Sequence, residues 1–210
     1  HPETEYKDYV RKNIRFKYGP IDEGVGFGVE IFSGYGIFTG GLSNNYTNYI
    51  PFGATFEIYY KKFEFSPRVY LPIIPNKAKK DFAYSTGIYE EDKGMMQTMI
   101  HEASLGYAIL NNNSFKISPF FGIAKIDIEP SKIDELKEIS LNTFTCVTGL
   151  NLGIKIYDPY ANAKTSGGFL LNLRYKYAKL NFSRKYDISG GMHLMTIGIS
   201  LFAKEPKREY

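Results

Sequence analysis

Residues 168–178, with the sequence GFLLNLRYKYA, nearly alternate apolar and polar side chains. In a β-strand, successive side chains point to opposite faces of the sheet. One face would carry Phe169, Leu171, Leu173, Tyr175 and Tyr177, and the other Gly168, Leu170, Asn172, Arg174, Lys176 and Ala178. Because a globular strand usually has only about 5–6 residues, this stretch predicts an unusually long strand with one apolar face.

The same alternation recurs along the chain and predicts an all-β protein. The eight predicted strands span residues 24–40, 49–62, 64–75, 97–110, 115–129, 141–157, 168–180 and 189–203. The strand 115–129 is ambiguous, because its alternation shifts phase near Ala124, as a β-bulge would cause. The only helix-like stretch is 131–139, which is short and charged.

The connections between these strands tend to alternate between long and short. Polar loops are predicted at 41–48, 75–94, 130–140 and 181–188, and tight turns at 61–63 and 111–114. The exception is the medium turn 157–167, which is longer than a typical periplasmic turn. Outer-membrane barrels place their long loops outside the cell and their short turns in the periplasm. The pattern therefore predicts an antiparallel up-and-down transmembrane β-barrel of eight strands, with both chain ends on the short-turn side.

The chemistry of the two faces favours a barrel that is polar inside and apolar outside. The polar faces are rich in Gly and Ser and carry charges of both signs, which suits pairing across a narrow lumen. The apolar faces end in aromatic residues such as Tyr60, Tyr107, Tyr175 and Tyr177, as an aromatic girdle would. We predict a lumen charge network of Glu30, Glu57, Arg68, Glu102, Lys155, Arg174 and Lys176. The alternatives are a soluble barrel with solvated charges and a lipocalin-like carrier whose apolar face lines a cavity.

Composition excludes several other classes of protein. The 210 residues include 26 Lys and Arg against 22 Asp and Glu, a net charge of +4 that argues against a nucleic-acid binder. The single cysteine, Cys146, excludes a disulfide scaffold and a Cys-rich zinc site. The sequence contains no run of 18 apolar residues, so it predicts no transmembrane helix. Because the sequence starts at His1 without a signal peptide, we expect that an export signal has been removed.

Three stretches carry a resemblance to a known group of proteins. The segments are 34–40 (GYGIFTG), 59–63 (YYKKF) and the last strand, 194–202 (LMTIGISLF). Together with the strand rhythm they resemble small eight-stranded outer-membrane barrels, those like the OmpA transmembrane domain and OmpX, in the style of Bacteroidetes-type bacteria. The resemblance implies the fold and a place in the outer membrane of a Gram-negative cell. The chain departs from it by continuing eight residues past Phe202.

The domain prediction has three parts: an N-terminal lead segment 1–23, the barrel 24–203 and a polar tail 204–210. An alternative with ten strands would add 10–18, which also alternates, and 82–90.

Candidate catalytic residues are few, so the sequence predicts a non-enzymatic protein. Lipid A deacylase barrels carry a His-x-Ser-Asn signature on the strand before the last, where this chain has 177–180 (YAKL). His101 and His193 fall on apolar faces, and neither has a Ser two residues on, so no nucleophile–base pair is expected. This reading predicts no cofactor and no bound metal. The expected partners are outer-membrane lipid, lipopolysaccharide and a protein partner that contacts the loops 75–96 and 130–140 or the barrel wall.

Overall fold

A computed structural model describes most of the chain. The described residues are 17–18, 24–79, 83–84, 87–88, 95–112, 114–130, 141–157, 166–182, 188–205 and 208–209. The expectations for the lead segment 1–23 and for a helix at 131–139 fall almost entirely outside these ranges.

Eight long antiparallel strands form a closed ring, which confirms the predicted architecture. Each strand pairs with its neighbours in sequence, and the last pairs with the first to close the barrel. The strands are β1 Val25–Gly40, β2 Ile50–Tyr60, β3 Phe63–Ile74, β4 Met95–Tyr107, β5 Phe115–Pro130, β6 Leu141–Tyr157, β7 Ser166–Asn181 and β8 Ser189–Glu205. Closure leaves no sheet edge, so the backbone groups of the wall are paired within the barrel.

The described parts of the segments that suggested a ten-stranded alternative, 17–18, 83–84 and 87–88, form short strands outside this ring. Lys17–Tyr18 pairs with Arg208–Glu209, and Ala83–Tyr84 pairs with Gly87–Ile88, each pair as a separate two-stranded sheet. Two further short strands pair with the ring. Asn76–Lys77 pairs with β4 at its long-loop end, and Leu110–Asn111 pairs with β5 at its short-turn end. The ring itself therefore has eight strands.

The loop 41–48, predicted without a helix, contains the short helix α1, Gly41–Asn45. The backbone of Gly40 has φ of 66°, a left-handed conformation that glycine adopts without steric cost and that turns the chain from β1 into α1. Leu42 of this helix is fully buried in the mouth of the barrel. Among the described residues no helix is long and apolar enough to span a membrane.

The bulge suggested near Ala124 is absent, and that interpretation was wrong. The register of β5 continues without a shift against both β4 and β6 through this point. Ala124, Ile126 and Ile128 all point inward and are buried. The pattern looked out of phase because the inner face of the barrel changes from polar to apolar towards the loop end.

The outer wall is a belt of exposed apolar side chains. Phe144 is 77% exposed, and Ile109 and Ile123 are more than half exposed. The belt continues around all eight strands, far beyond the apolar patches of a few hundred Å² that soluble monomers show. Such a wall is matched to hydrocarbon rather than to water, and the polar faces of the strands fill the lumen instead.

Candidate functional site

The lumen holds a cluster of eight buried ionisable side chains, which we call the lumen network. Its members lie on inward-facing positions of β1–β5 and β7 and include equal numbers of anions and cations. They are Glu30, Glu57, Glu64, Glu102, Arg68, Lys116, Arg174 and Lys176. Because the charges balance, the network places no net charge in a region that water reaches poorly.

Arg68 on β3 is the centre of one half of the network. Its guanidinium lies 3.3 Å from the Glu57 carboxylate, 3.8 Å from Glu30 and 3.7 Å from Glu102. It also donates a hydrogen bond of 3.1 Å to the Ser104 hydroxyl. The strand register brings Arg68 directly opposite Glu102 on β4 and beside β2, so period-two alternation in each strand is sufficient to assemble this group.

Arg174 reaches the same carboxylates from the other side of the barrel. Its guanidinium lies 3.7 Å from Glu30, 3.8 Å from Glu57 and 4.0 Å from Glu64. Tyr59 donates a short hydrogen bond to Glu57. Since Arg174 is on β7 and its partners are on β1, β2 and β3, these contacts cross the lumen and hold opposite walls together.

Two lysines complete the network by pairing closely with single carboxylates. The Lys176 ammonium lies 2.5 Å from Glu102, and the Lys116 ammonium lies 2.6 Å from Glu64. Lys176 also lies 3.8 Å from the centre of the Tyr70 ring, a distance suited to a cation–π interaction. Lys116 lies 4.8 Å from the centre of the Tyr59 ring, so each lysine is fixed by both a charge partner and an aromatic face.

The gaps that the described residues leave beside the lumen network are small. The gap beside Arg68 and Arg174 has a volume of about 10 Å³, which is close to the space needed by one water molecule. A recess at the short-turn end, lined by Glu64 and Lys116, measures about 40 Å³. Side chains thus fill this part of the barrel, as expected for eight strands.

The structure brings together six of the seven side chains proposed from sequence. The exception is Lys155, which lies half-buried at the short-turn end beside the recess that Lys116 lines. Glu64 and Lys116 belong to the network but were missed. Their signal was present, because each lies two residues before an inward-facing serine, Ser66 and Ser118. Glu64 lies at the first position of the predicted strand 64–75, before the stretch 65–73 over which the two faces are assigned, and the face of β5 is ambiguous in the sequence.

The loop end of the lumen is closed by an apolar plug, defined here by Phe38, Leu42, Tyr46, Tyr49 and Met192. All five side chains are buried within the main apolar cluster. The Tyr49 hydroxyl lies 3.1 Å from the Met192 sulfur, joining the β1–β2 loop to β8. The plug explains why the inner faces of the strands become apolar towards the long loops.

Neither described histidine lies in a catalytic arrangement. His101 is exposed on the outer wall, and His193 is half-exposed with its Nδ1 2.8 Å from the Tyr175 hydroxyl. Within the described ranges, no group of three or more His, Cys, Asp and Glu side chains is arranged to hold a metal ion. Cys146 is exposed on the outer wall.

Known structures share this fold. Neisserial surface protein A matches with a TM-score of 0.51 and 12% sequence identity, covering 83% of this chain and 96% of that protein. Ail, the attachment invasion locus protein of Yersinia pestis, gives 0.45 and 15% identity over 85% of this chain and 99% of Ail. The outer membrane protein AlkL gives 0.39 and 12% over 94% of this chain and 96% of AlkL. No family model and no curated protein matches the chain. The chain thus has the fold of the small outer-membrane β-barrels.

Proposed function

We propose that this protein is a non-enzymatic barrel of the outer membrane, of the OmpA and OmpX type found in Bacteroidetes-type bacteria, and that it serves as a structural or accessory subunit of a larger assembly. The observation that carries the proposal is the filled interior. The lumen network and the apolar plug occupy the two halves of the lumen, so the barrel is unsuited to bulk transport. The loops and the wall are the surfaces that remain for function.

The loop between β3 and β4 is the best candidate for a partner contact. It is about 20 residues long, at residues 75–94, and mixes lysines with tyrosines and isoleucine. Long loops on a rigid scaffold commonly carry binding residues. The base of this loop is anchored by hydrogen bonds. The Lys79 ammonium donates to the Ser43 carbonyl at 2.8 Å, and the Lys79 N–H donates to the Asn45 carbonyl. The Lys77 N–H donates to the Thr47 hydroxyl, and the Thr47 N–H donates to the Lys77 carbonyl.

A loop deletion tests this role without damaging the anchor. Replacement of residues 81–92 by a short Gly-Ser linker keeps the contacts of Lys77 with Thr47 and of Lys79 with α1. We expect the barrel to fold, and a protein that co-purifies with the native chain from membranes in mild detergent to be lost. A matched control shortens 183–187 in the β7–β8 loop, which is not a proposed contact. If both variants retain the same partners as the native chain, the β3–β4 loop is not the contact.

The non-enzymatic part of the proposal has its own test. His193 contacts the Tyr175 hydroxyl through Nδ1, and among the described residues no carboxylate or serine is hydrogen-bonded to that pair. We therefore expect no release of fatty acid when the purified protein is incubated with lipid A in detergent. Release that is lost in His193→Ala would contradict the proposal and favour a lipid-modifying enzyme.

A further inference from the structure

A groove of about 810 Å³ crosses the outer wall between β1 and β6. It exists because small side chains, Ala54, Pro67 and Ala103, lie in neighbouring strands, while the larger Phe56 and Phe144 border them. The register places Pro67 directly opposite Ala103, so these small side chains form a continuous floor of the groove. Most of the lining is apolar, and the groove therefore opens onto the surface that faces the hydrocarbon of a bilayer.

One end of the groove is basic. His101 on β4 and Lys125 on β5 are register partners, and both are exposed on the outer wall. The Lys125 ammonium lies 3.0 Å from the Asp127 carboxylate, and its side chain remains 44% exposed. An ammonium group has three donors, so one partner leaves two available.

The basic pair lies where the exposed apolar positions of β5 end. Below Lys125, towards the short turns, the outward positions of β5 carry Ile123 and Phe121, both more than half exposed. Above it the next residue of this alternation is Asp127, which is buried and pairs with Lys125. On β5 the side chains thus change from apolar to charged at Lys125, as they do where a strand of a membrane barrel approaches the lipid headgroups.

We infer that the groove binds one anionic membrane lipid, with an acyl chain along Ala54, Pro67 and Ala103 and the phosphate at His101 and Lys125. An acyl chain matches the apolar floor, and two exposed nitrogen donors beside it complement a phosphate. A zwitterionic lipid carries a compensating positive charge and gains less from this end. The inference needs only a bilayer around the barrel and is independent of the proposed loop partner.

Tryptophan fluorescence can test this site directly, because the chain contains no Trp. Phe144→Trp places a single fluorophore at the border of the groove, and Ile197→Trp places one on the outer face of β8, on the opposite wall. Each variant is reconstituted in phosphatidylcholine bilayers that contain brominated phosphatidylglycerol or, in parallel, brominated phosphatidylcholine. Quenching by the two brominated lipids gives their relative binding constant at each position.

We expect phosphatidylglycerol to be preferred about fivefold at Phe144→Trp, since one basic side chain at an anionic lipid surface contributes roughly that factor. At Ile197→Trp the ratio should be near one. Adding Lys125→Gln and His101→Gln to Phe144→Trp should abolish the preference. Lys62→Gln, at the short-turn surface, should leave it unchanged.

Three results would overturn the inference. They are a ratio near one at Phe144→Trp, an equal preference at both positions, and a preference that survives Lys125→Gln with His101→Gln. Weak quenching of Phe144→Trp by both lipids would indicate a protein on the groove and would also contradict it. Heat-dependent migration on SDS gels verifies that each variant is folded.

Discussion

At the scale of single residues, the arginines of the lumen network hold the most consequential positions. Arg174 is 5% exposed and lies within 4.0 Å of three carboxylates on three other strands. Glu30, one of these, has no hydrogen-bond donor within reach of either carboxylate oxygen. Its charge is therefore balanced by the guanidinium groups at 3.7–3.8 Å rather than by direct hydrogen bonds.

Removal of Arg174 should destabilise the barrel strongly. Arg174→Ala leaves Glu30 and Glu57 buried without one of their cations, and breaking a buried ion pair typically costs about 3–5 kcal/mol. Urea unfolding in lipid vesicles, followed by tyrosine fluorescence, measures the loss. The double variant Arg174→Gln with Glu57→Gln removes both signs and should recover much of the stability.

Lys62→Ala, in the exposed turn between β2 and β3, is the control and should change stability by less than about 0.5 kcal/mol. An unfolding midpoint of Arg174→Ala that equals that of the native chain would mean that the network contributes no net stability.

At the scale of elements, β6 allows the inside-out arrangement to be measured. Leu150 and Ile154 point outward and are exposed, whereas Asn151 and Gly153 point into the lumen. The alternation continues to Cys146, which is exposed on the same outward face as Leu150.

A cysteine scan of β6 should show a period of two in its accessibility to lipid. In a Cys146→Ser background, nitroxide labels at positions 150, 152 and 154 should be relaxed by oxygen, which dissolves in hydrocarbon. Labels at 151 and 153 should not be, because they would project into the filled lumen. Uniform accessibility along the strand, or the opposite phase, would show that the apolar face is not the lipid face.

At the scale of the whole molecule, closure of the ring connects the first and last strands. β8 pairs with β1 over sixteen residue positions, from Gly190↔Gly40 to Glu205↔Val25. A ring closed in this way opens only if a whole inter-strand ladder separates, and it offers no edge at which unfolding could begin.

The folded barrel should therefore resist SDS at room temperature and migrate differently after boiling. In the absence of detergent or lipid it should aggregate, because its apolar belt is exposed on every strand. Gel migration with and without heating, together with light scattering after detergent removal, provides the two measurements. Recovery of a monodisperse protein in plain buffer would exclude a membrane barrel.

The sequence by itself determined the eight long strands and the faces of seven of them, while the face of β5 and a ten-stranded alternative stayed open. Alternation such as that of Phe169 to Ala178 is a local property, since it depends only on the direction of successive side chains in an extended backbone. The bounds of β6 were predicted to the residue, and those of β1 and β5 to within one.

Only the tertiary structure decided which inward-facing residues meet and what fills each half of the lumen. Arg174 contacts Glu30 and Glu57 because strand tilt and register place the three side chains at similar heights in the barrel. Lys155 also alternates with apolar residues, but it lies nearer the short-turn end, beside the recess there. The apolar plug was hidden for the same reason. At the loop end the inward-facing residues are as apolar as the outward-facing ones, so the sequence pattern does not distinguish the two faces there. The contact of α1 with the barrel mouth distinguishes them, and period-two patterns within single strands do not encode that contact.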